Sequence, residues 1–421
     1  MENRAIMQPA NPVLPETGFA VERLLPPQQA VVAFFSRVTI APLKTERVSL
    51  DDASGRVLAE GVVADVDYPR EPRSLMDGFA LQARATPGEF AIIDDVHMGR
   101  APRIHVTSRT ASRIPTGGLL PDGADAVVPR ENVSVDGDTL TVRAEVAAGE
   151  SVAEAGADMR RGETVLRAPR RIRAAEIGVL ATLGVTSVCV YRRPVVAVFS
   201  SGDELVDPAA RPLPGEIRDS NRYAIAASLG AMGTIPRHYP TLRDEAPEFE
   251  SALEAALAEC DALVITGGSS VGERDRLPGA VAKIANPGIV VHGLRVKPGK
   301  PTLFGAHGGK PILGLPGNPT SALLMLEAVA SPIVAALGGA PISSSLLQAR
   351  LAEPARSRAG WTWYAPVRLT DDGGVPWAHP LALRSFSVSL TARADGYVIM
   401  NELDEEWPAG TPVTVHRFLG G

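Results

Sequence analysis

Three stretches between residues 260 and 327 carry groups suited to gripping an anion. The first, Thr266-Gly267-Gly268-Ser269-Ser270-Val271-Gly272-Glu273-Arg274-Asp275, directly follows the apolar run Ala262-Leu263-Val264-Ile265. The second, Leu315-Pro316-Gly317-Asn318-Pro319-Thr320-Ser321, follows Pro311-Ile312-Leu313-Gly314 and opens a long apolar helix. Between them lies the basic loop Arg295-Val296-Lys297-Pro298-Gly299-Lys300-Pro301. A glycine-rich turn from strand to helix lets backbone N–H groups face an anion, and the helix N-terminus adds partial positive charge. Together these stretches read as a phosphate or oxyanion site. Asp275 and Glu204, in loops after strands expected to be adjacent, are the carboxylates expected to converge near the phosphates and hold a metal. Either turn alone reads equally well as a tight sheet connection. Neither has the Lys-Ser or Lys-Thr of a Walker loop or the glycine spacing of a dinucleotide fingerprint.

The elements that position these residues follow from periodicity. Pro194 to Ser200 is β-branched and apolar, hence a strand. It feeds Ser201-Gly202-Asp203-Glu204, and Arg218-Asp219-Ser220-Asn221 then caps a helix running through Leu229. A strand near Thr234 to Tyr239, a helix from Glu245 to Glu259, the strand Ala262 to Ile265 and a helix from Thr320 to Leu337 complete the alternation. Such alternation implies a mostly parallel sheet with helices on both faces, with ligands at the edge where its strands end.

Before this region, Leu25 to Val38 has helical spacing with Pro26 and Pro27 suited to a first turn. A short helix is expected over Leu50 to Ala59 and an extended run over Val62 to Val66. The loop Pro69 to Asp77 is rich in proline and carries two arginines, a serine and an Asp-Gly pair, which marks it for function. Phe90 to Val146 alternates like β structure around the Gly-Pro loop Pro115 to Asp125. A further loop holds Asp158, and Arg167 to Arg173 is a basic run before the helix Ala174 to Leu183. After Pro341, short alternating runs with Trp361, Trp363, Tyr364, Trp377 and Trp407 suggest a small β-barrel or sandwich.

At 421 residues the chain is long enough for two to four domains with their own cores. Its 45% apolar content is ordinary, and no apolar run is expected to reach the ~20 residues that span a bilayer. The Pro-rich start reads as a loose tail and not a signal peptide. Two cysteines, Cys189 and Cys260, exclude a disulfide scaffold and fit a reducing cytoplasm. A net charge of −6 argues against nucleic acid as a partner, so the basic clusters read as local anion sites.

The chain resembles the MoeA family of molybdopterin molybdenumtransferases, related to the E domain of gephyrin. The resemblance runs from about Leu25 to Phe418. It is carried by Ser74-Leu75-Met76-Asp77-Gly78-Phe79-Ala80, Thr116-Gly117, Ser201-Gly202-Asp203-Glu204-Leu205, Gly267-Gly268-Ser269-Ser270-Val271-Gly272, Lys297-Pro298-Gly299-Lys300-Pro301 and Leu315-Pro316-Gly317-Asn318-Pro319, in the family's order. It implies an elongated homodimer of multidomain subunits. The expected divisions are a tail (1–24), a helix packed on the α/β domain (25–41), a linking domain (42–63 and 148–190) and a β-rich domain (64–147). A central, mostly parallel α/β domain of the molybdopterin-binding type (191–340) and a C-terminal β-barrel (341–421) complete them. The loops around Asp77 and Thr116 are expected to approach the α/β domain of the other subunit.

The implied reaction takes adenylylated molybdopterin, cleaves AMP from it with help from Mg²⁺ and places molybdate on the dithiolene sulfurs. By resemblance Asp77, Thr116, Asp158, Glu204, Asp244, Asp275 and Lys297 match functional positions. Lys300, Pro301, Ser321 and Ser385 match the molybdate pocket, with Arg384 beside it. The glycine turns contribute Ser201, Gly202, Gly267, Gly268, Ser269, Ser270, Gly272, Pro316, Gly317 and Asn318 to substrate binding. An adenylyltransferase supplied in trans is the implied partner, since no further domain for that step is visible.

Two departures stand out. Trp361 follows Gly360 where the family commonly has an Arg, and Gly293 stands where some members have a Lys. An indole cannot pair with an oxyanion as a guanidinium can; Arg358 and Arg384 are the nearby substitutes. A weakened paralogue that binds cofactor or assembles partners, and a tungstate-inserting variant, are therefore the competing readings.

Overall fold

The computed structural model describes residues 24–243, 247–269, 275–339, 345–371, 373–382 and 387–419. Asp244, Ser270, Gly272, Arg384 and Ser385 lie outside the described residues. The described residues fall into two compact units, one within residues 24–47, 55–57 and 189–419, the other of residues 48–54 and 58–188.

In the larger unit, helix α1 (Pro27–Arg37) starts where Pro26 and Pro27 preset its first turn and buries Pro27, Ala30 and Phe34 on one stripe. In the smaller unit, the expected helix after Leu50 is only one turn, α2 (Leu50–Ala53), capped by the Ser49 side chain. Val57 and Leu58 are extended and buried instead. The β-branched Val57 and the demand for burial override helical spacing there.

The smaller unit holds a six-stranded sheet. Its strands are β1 (Gly78–Leu81), β2 (Gly88–Asp95), β3 (Thr110–Ile114), β4 (Ala126–Pro129), β5 (Val133–Asp136) and β6 (Thr139–Val142), in the order β4-β1-β3-β2-β6-β5. Successive residues of β1 serve opposite faces, as the two-residue period of a strand demands. Phe79 and Leu81 join Phe90, Val128 and Leu140, whereas Ala80 joins Val96, Ile114 and Val127. Helix α3 (Ala174–Thr182) begins where Glu176 receives hydrogen bonds from Arg170 and Arg173. The basic run thus serves partly to neutralise one buried carboxylate, whose pKa is pulled down to about 2, chiefly by the Arg173 side chain.

The larger unit is built on a second six-stranded sheet. Its elements are β7 (Val195–Ser200), α4 (Asn221–Ala231), β8 (Ile235–His238), α5 (Phe249–Glu259), β9 (Ala262–Thr266), α6 (Arg276–Ile284), β10 (Pro287–His292), β11 (Leu303–His307) and β12 (Lys310–Leu315). The strand order is β8-β7-β9-β12-β11-β10. The first four strands are parallel, and β11 and β10 add an antiparallel edge. Both faces are covered, so the strands are apolar throughout. Val196, Val198, Val264 and Leu313 face α1 and α4, and Ala197, Phe199, Leu263 and Ile312 face α5 and α6.

The helix after β12 is continuous but not uniform. Helix α7 (Pro319–Leu324) widens into a π-helical turn over Met325–Ala330 and resumes as α8 (Ser331–Leu337). The sequence suggested no apolar run of membrane-spanning length, yet this helix has the length and apolarity for one. About two thirds of its most apolar window is buried inside the unit, which accounts for its composition.

The C-terminal segment closes into a barrel. Strands β13 (Leu346–Leu351), β14 (Thr362–Thr370), β15 (Trp377–Pro380), β16 (Gly396–Met400) and β17 (Pro412–Arg417) pair in the ring β14-β15-β13-β17-β16-β14. Closure removes free edges and buries Leu351, Ala365, Val367, Val398, Met400 and Val415 at its centre.

Candidate functional site

The two glycine turns leave the sheet at one edge. Strands β9 and β12 are parallel neighbours with Thr266 opposite Leu315, so the turns emerge side by side. The Gly267 N–H donates to the Leu315 carbonyl (3.1 Å) and the Ser269 hydroxyl donates to the same oxygen (3.2 Å). Gly267 has φ +85°, and any Cβ there would run into the Ser201 carbonyl. Only glycine lets the first turn pass so close to the β7 loop. Gly317 lies against Gly267 at the equivalent point of the second turn, where a Cβ would sit 3.7 Å from the Gly267 Cα.

The β7 loop completes this edge. Ser201 donates its N–H to the Thr266 carbonyl (2.8 Å), and Gly202 donates to Leu242 (3.1 Å). The exposed Glu204 folds its carboxylate back over Gly202. Asp275 is the N-cap residue of α6 and makes no side-chain cap hydrogen bond. Glu204 and Asp275 therefore follow β7 and β9, which are adjacent, as expected from the sequence. Among the described residues no three His, Cys, Asp or Glu side chains gather as a ready-made metal cage. Carboxylates such as Glu204 and Asp275 offer the oxygen ligands that Mg²⁺ commonly takes alongside water and a substrate's phosphates.

Asn318 caps α7, its side-chain oxygen accepting from the Ser321 N–H (3.1 Å) and hydroxyl (3.2 Å). Ser321 is thus tied to the cap of the second turn. A residue read from sequence only as part of a cap, Asn221, reaches the same turn by donating Nδ2–H to the Gly317 carbonyl (2.8 Å). Its Oδ1 is buried and has no hydrogen-bond partner among the described residues. Asp219, two residues earlier and 1% exposed, accepts from the Ser200 hydroxyl (2.9 Å) and the Arg222 N–H (3.2 Å). No spacing rule distinguished these two from ordinary capping residues.

The basic loop forms one wall of a separate cleft of about 450 Å³. Lys297, Pro298, Gly299, Lys300 and Pro301 line one side, with Ser357, Arg358 and Trp361 opposite. Pairing of Val296 and Lys297 with Thr362 and Trp363 brings the barrel to the loop. Lys297 Nζ consequently lies 6.0 Å from the centroid of the Trp363 ring, and the Arg358 guanidinium lies over Trp361. Gly299, at φ +113°, presses on Met325 of the π-helical turn, and its carbonyl accepts from the Thr302 hydroxyl (2.7 Å). Ser357 Oγ and Trp363 Nε1 are buried without a partner among the described residues. Buried donors without partners, beside two ammonium groups and a guanidinium, suit an oxyanion. Sequence reasoning named Arg358 but missed Ser357 and Trp363, because only barrel closure brings them to the loop.

In the smaller unit, Asp77 and Thr116 meet although 39 residues separate them. Asp77 Oδ1 accepts from the Thr116 N–H (2.7 Å) and hydroxyl (2.9 Å). These bonds hold the exposed carboxyl below its ordinary pKa. Asp77 borders a cleft of about 710 Å³ that Phe79, Arg113 and Arg130 also line. Asp158 is exposed in its own turn, where its N–H donates to the Tyr68 carbonyl (3.1 Å).

A mostly parallel α/β sheet with two glycine turns at one edge, joined to a barrel that faces a lysine loop, defines a multidomain protein of mixed α/β and β-barrel class. The comparisons give this class its family. Residues 25–184 match the MoeA N-terminal region (domains I and II), 197–336 the family described as "Probable molybdopterin binding domain" and 348–418 the MoeA C-terminal region (domain IV). A relative from Staphylococcus epidermidis named molybdopterin molybdenumtransferase is 34% identical over 305 residues, 71% of this chain and 73% of its own length. One of that name from Haemophilus influenzae is 31% identical over 301 residues, covering 71% and 74%. The crystal structure of a molybdopterin biosynthesis MoeA protein from Pyrococcus horikoshii OT3 superposes with a TM-score of 0.81 at 27% identity, covering 93% of this chain and all of the other. The chain belongs to the MoeA family.

Proposed function

We propose that this protein is a molybdopterin molybdenumtransferase that inserts molybdenum into adenylylated molybdopterin and releases AMP, the last step of molybdenum cofactor synthesis. The observation that carries this reading is the cleft between the lysine loop and the barrel, where Lys297, Lys300 and Arg358 face a space lined by Ser357. Three cations and a hydroxyl donor suit a tetrahedral dianion such as molybdate.

The glycine turns at the edge formed by β9 and β12 would hold the phosphate end of the pterin. Their backbone N–H groups and the N-terminus of α7 supply donors and partial positive charge. Asn221 Oδ1, buried beside the second turn, offers an acceptor for an N–H of the pterin ring. Glu204 and Asp275 would hold Mg²⁺, which when bound neutralises charge on the diphosphate. Asp77, kept ionised by Thr116, is an acceptor poised for a donor group of the substrate. The lysine loop orients molybdate for the dithiolene sulfurs.

Two further parts of the proposal come from the family. The working form is a homodimer in the cytoplasm, and the adenylylated pterin comes from an adenylyltransferase acting in trans. A mass twice that of the chain in light scattering would support the first.

The competing reading, a weakened paralogue that only binds cofactor, draws on Trp361. Against it, Arg358 brings a guanidinium to the cleft that Trp361 lines. The test is AMP release from adenylylated molybdopterin by purified protein with Mg²⁺ and molybdate. Turnover with appearance of molybdenum-loaded cofactor supports the enzyme; binding without turnover supports the paralogue. Substituting tungstate in the same assay decides between the two oxyanions.

A further inference from the structure

We infer that His292 is a positioning residue that sets the first glycine turn for its ligand, an inference that deepens the proposed function and rests on it. His292 ends β10, on the antiparallel edge of the sheet, two strands away from β12. It nevertheless reaches the turn, its Nε2 lying 2.9 Å from the Ser269 carbonyl oxygen. A carbonyl can only accept, so Nε2 carries the proton.

The register explains the reach. Ile265, Gly314, Leu303 and His292 form one row across β9, β12, β11 and β10. Gly314 has no side chain in that row, and a Cβ there would come within 3.5 Å of the Ser269 Cβ and closer still to Leu277 and Leu303. The missing side chain leaves room over β12 for Ser269, and His292 stands in the same row beyond Leu303. The turn is thus fastened twice. Its Gly267 N–H and Ser269 hydroxyl hold the Leu315 carbonyl on one side, and its Ser269 carbonyl is held by His292 on the other. Ser269 is 2% exposed, so water is a poor replacement for the imidazole.

A turn that presents backbone N–H groups to a phosphate works only if its peptide planes are fixed beforehand. His292 supplies that fixing from outside the turn, in a strand that contributes no glycine motif.

The test compares His292→Phe, which keeps a ring but no N–H, with His292→Gln, whose amide nitrogen can occupy the place of Nε2. Binding of molybdopterin and amide exchange at Gly267, whose N–H donates to Leu315, and at Leu277, whose N–H donates to Gly268, are measured in the full-length protein. His292→Phe is expected to weaken binding and speed both exchanges by about 3- to 10-fold, the worth of one buried hydrogen bond, with Val264 in β9 unchanged. His292→Gln is expected to restore both. Wild-type binding by His292→Phe would overturn the inference. Equal losses in the two variants would also overturn it, because shape and not the N–H would then be the cause. A wild-type protein that binds molybdopterin but releases no AMP would refute the proposed reaction alone. If it binds no molybdopterin either, the exchange comparison still decides whether His292 holds the turn.

Discussion

The guanidinium carbon of Arg358 lies 5.4 Å from the centroid of the Trp361 ring, so the indole serves as a platform for that guanidinium. Stacking of this kind orients the guanidinium plane without consuming its hydrogen-bond donors. Arg358→Ala is therefore expected to raise the molybdate concentration for half-maximal insertion by about tenfold, in the range of a lost charge-assisted hydrogen bond. Affinity for the adenylylated pterin should stay nearly unchanged. Lys300→Ala should behave in the same way, and titration of insertion against molybdate checks both.

Asp275 is the N-cap residue of α6, at the end of the first glycine turn, and its side chain makes no cap hydrogen bond. Asp275→Asn removes the charge and keeps the shape. AMP release is expected to fall by at least ~10-fold, with a changed dependence on Mg²⁺. An Asn variant with the wild-type rate and Mg²⁺ response would remove Asp275 from the site.

The lysine loop depends on Gly299, which combines φ +113° with direct contact to Met325. Gly299→Ala should cost about 1–3 kcal/mol, from backbone strain and overpacking against the π-helical turn. Denaturant unfolding would measure this. Because Lys297 and Lys300 flank the strained residue, molybdate dependence should weaken as well.

Glu327 on the π-helical turn accepts from the Ser228 hydroxyl (2.8 Å) and the Leu419 N–H (3.0 Å), joining α4 to the end of the chain. Burial raises its pKa above the ordinary 4.5, and these two hydrogen bonds only partly oppose the rise. A raised carboxyl pKa contributes stability at low pH that is lost as pH climbs from about 4.5 through the folded-state value. Glu327→Gln keeps an acceptor for Leu419 and lets Ser228 turn to accept from the amide. The variant should melt at the same or a higher temperature than wild type at pH 7 and lose the advantage near pH 4. Melting curves across that range would show an unfavourable result as a variant weaker at pH 7.

Local order already spoke for much of this protein. Short apolar runs that lead into glycine-containing turns dictate strands followed by tight connections, and their alternation with helical periods dictates a mostly parallel sheet. The glycines at 267–268 and 317 point to tight passages of the backbone after two strands, because close approach, and at 267–268 positive φ, favour this residue. The pairing of Asp77 with Thr116 could be suspected only from resemblance, since nothing local links residues 39 apart.

What the tertiary structure alone decided is the company each motif keeps. Ser357 and Trp363 lie on the barrel, and they meet Lys297 only because Val296 and Lys297 pair with Thr362 and Trp363. His292 meets Ser269 across two strands, and Gly314 leaves room over β12 for Ser269 to lie there. The π-helical turn that seats Met325 under Gly299 leaves no mark in an apolar helix sequence, where 3.6-residue periodicity looks unbroken. In each case register and closure place side chains from distant strands on one surface, and periodicity along a single strand carries no information about which neighbour it will find.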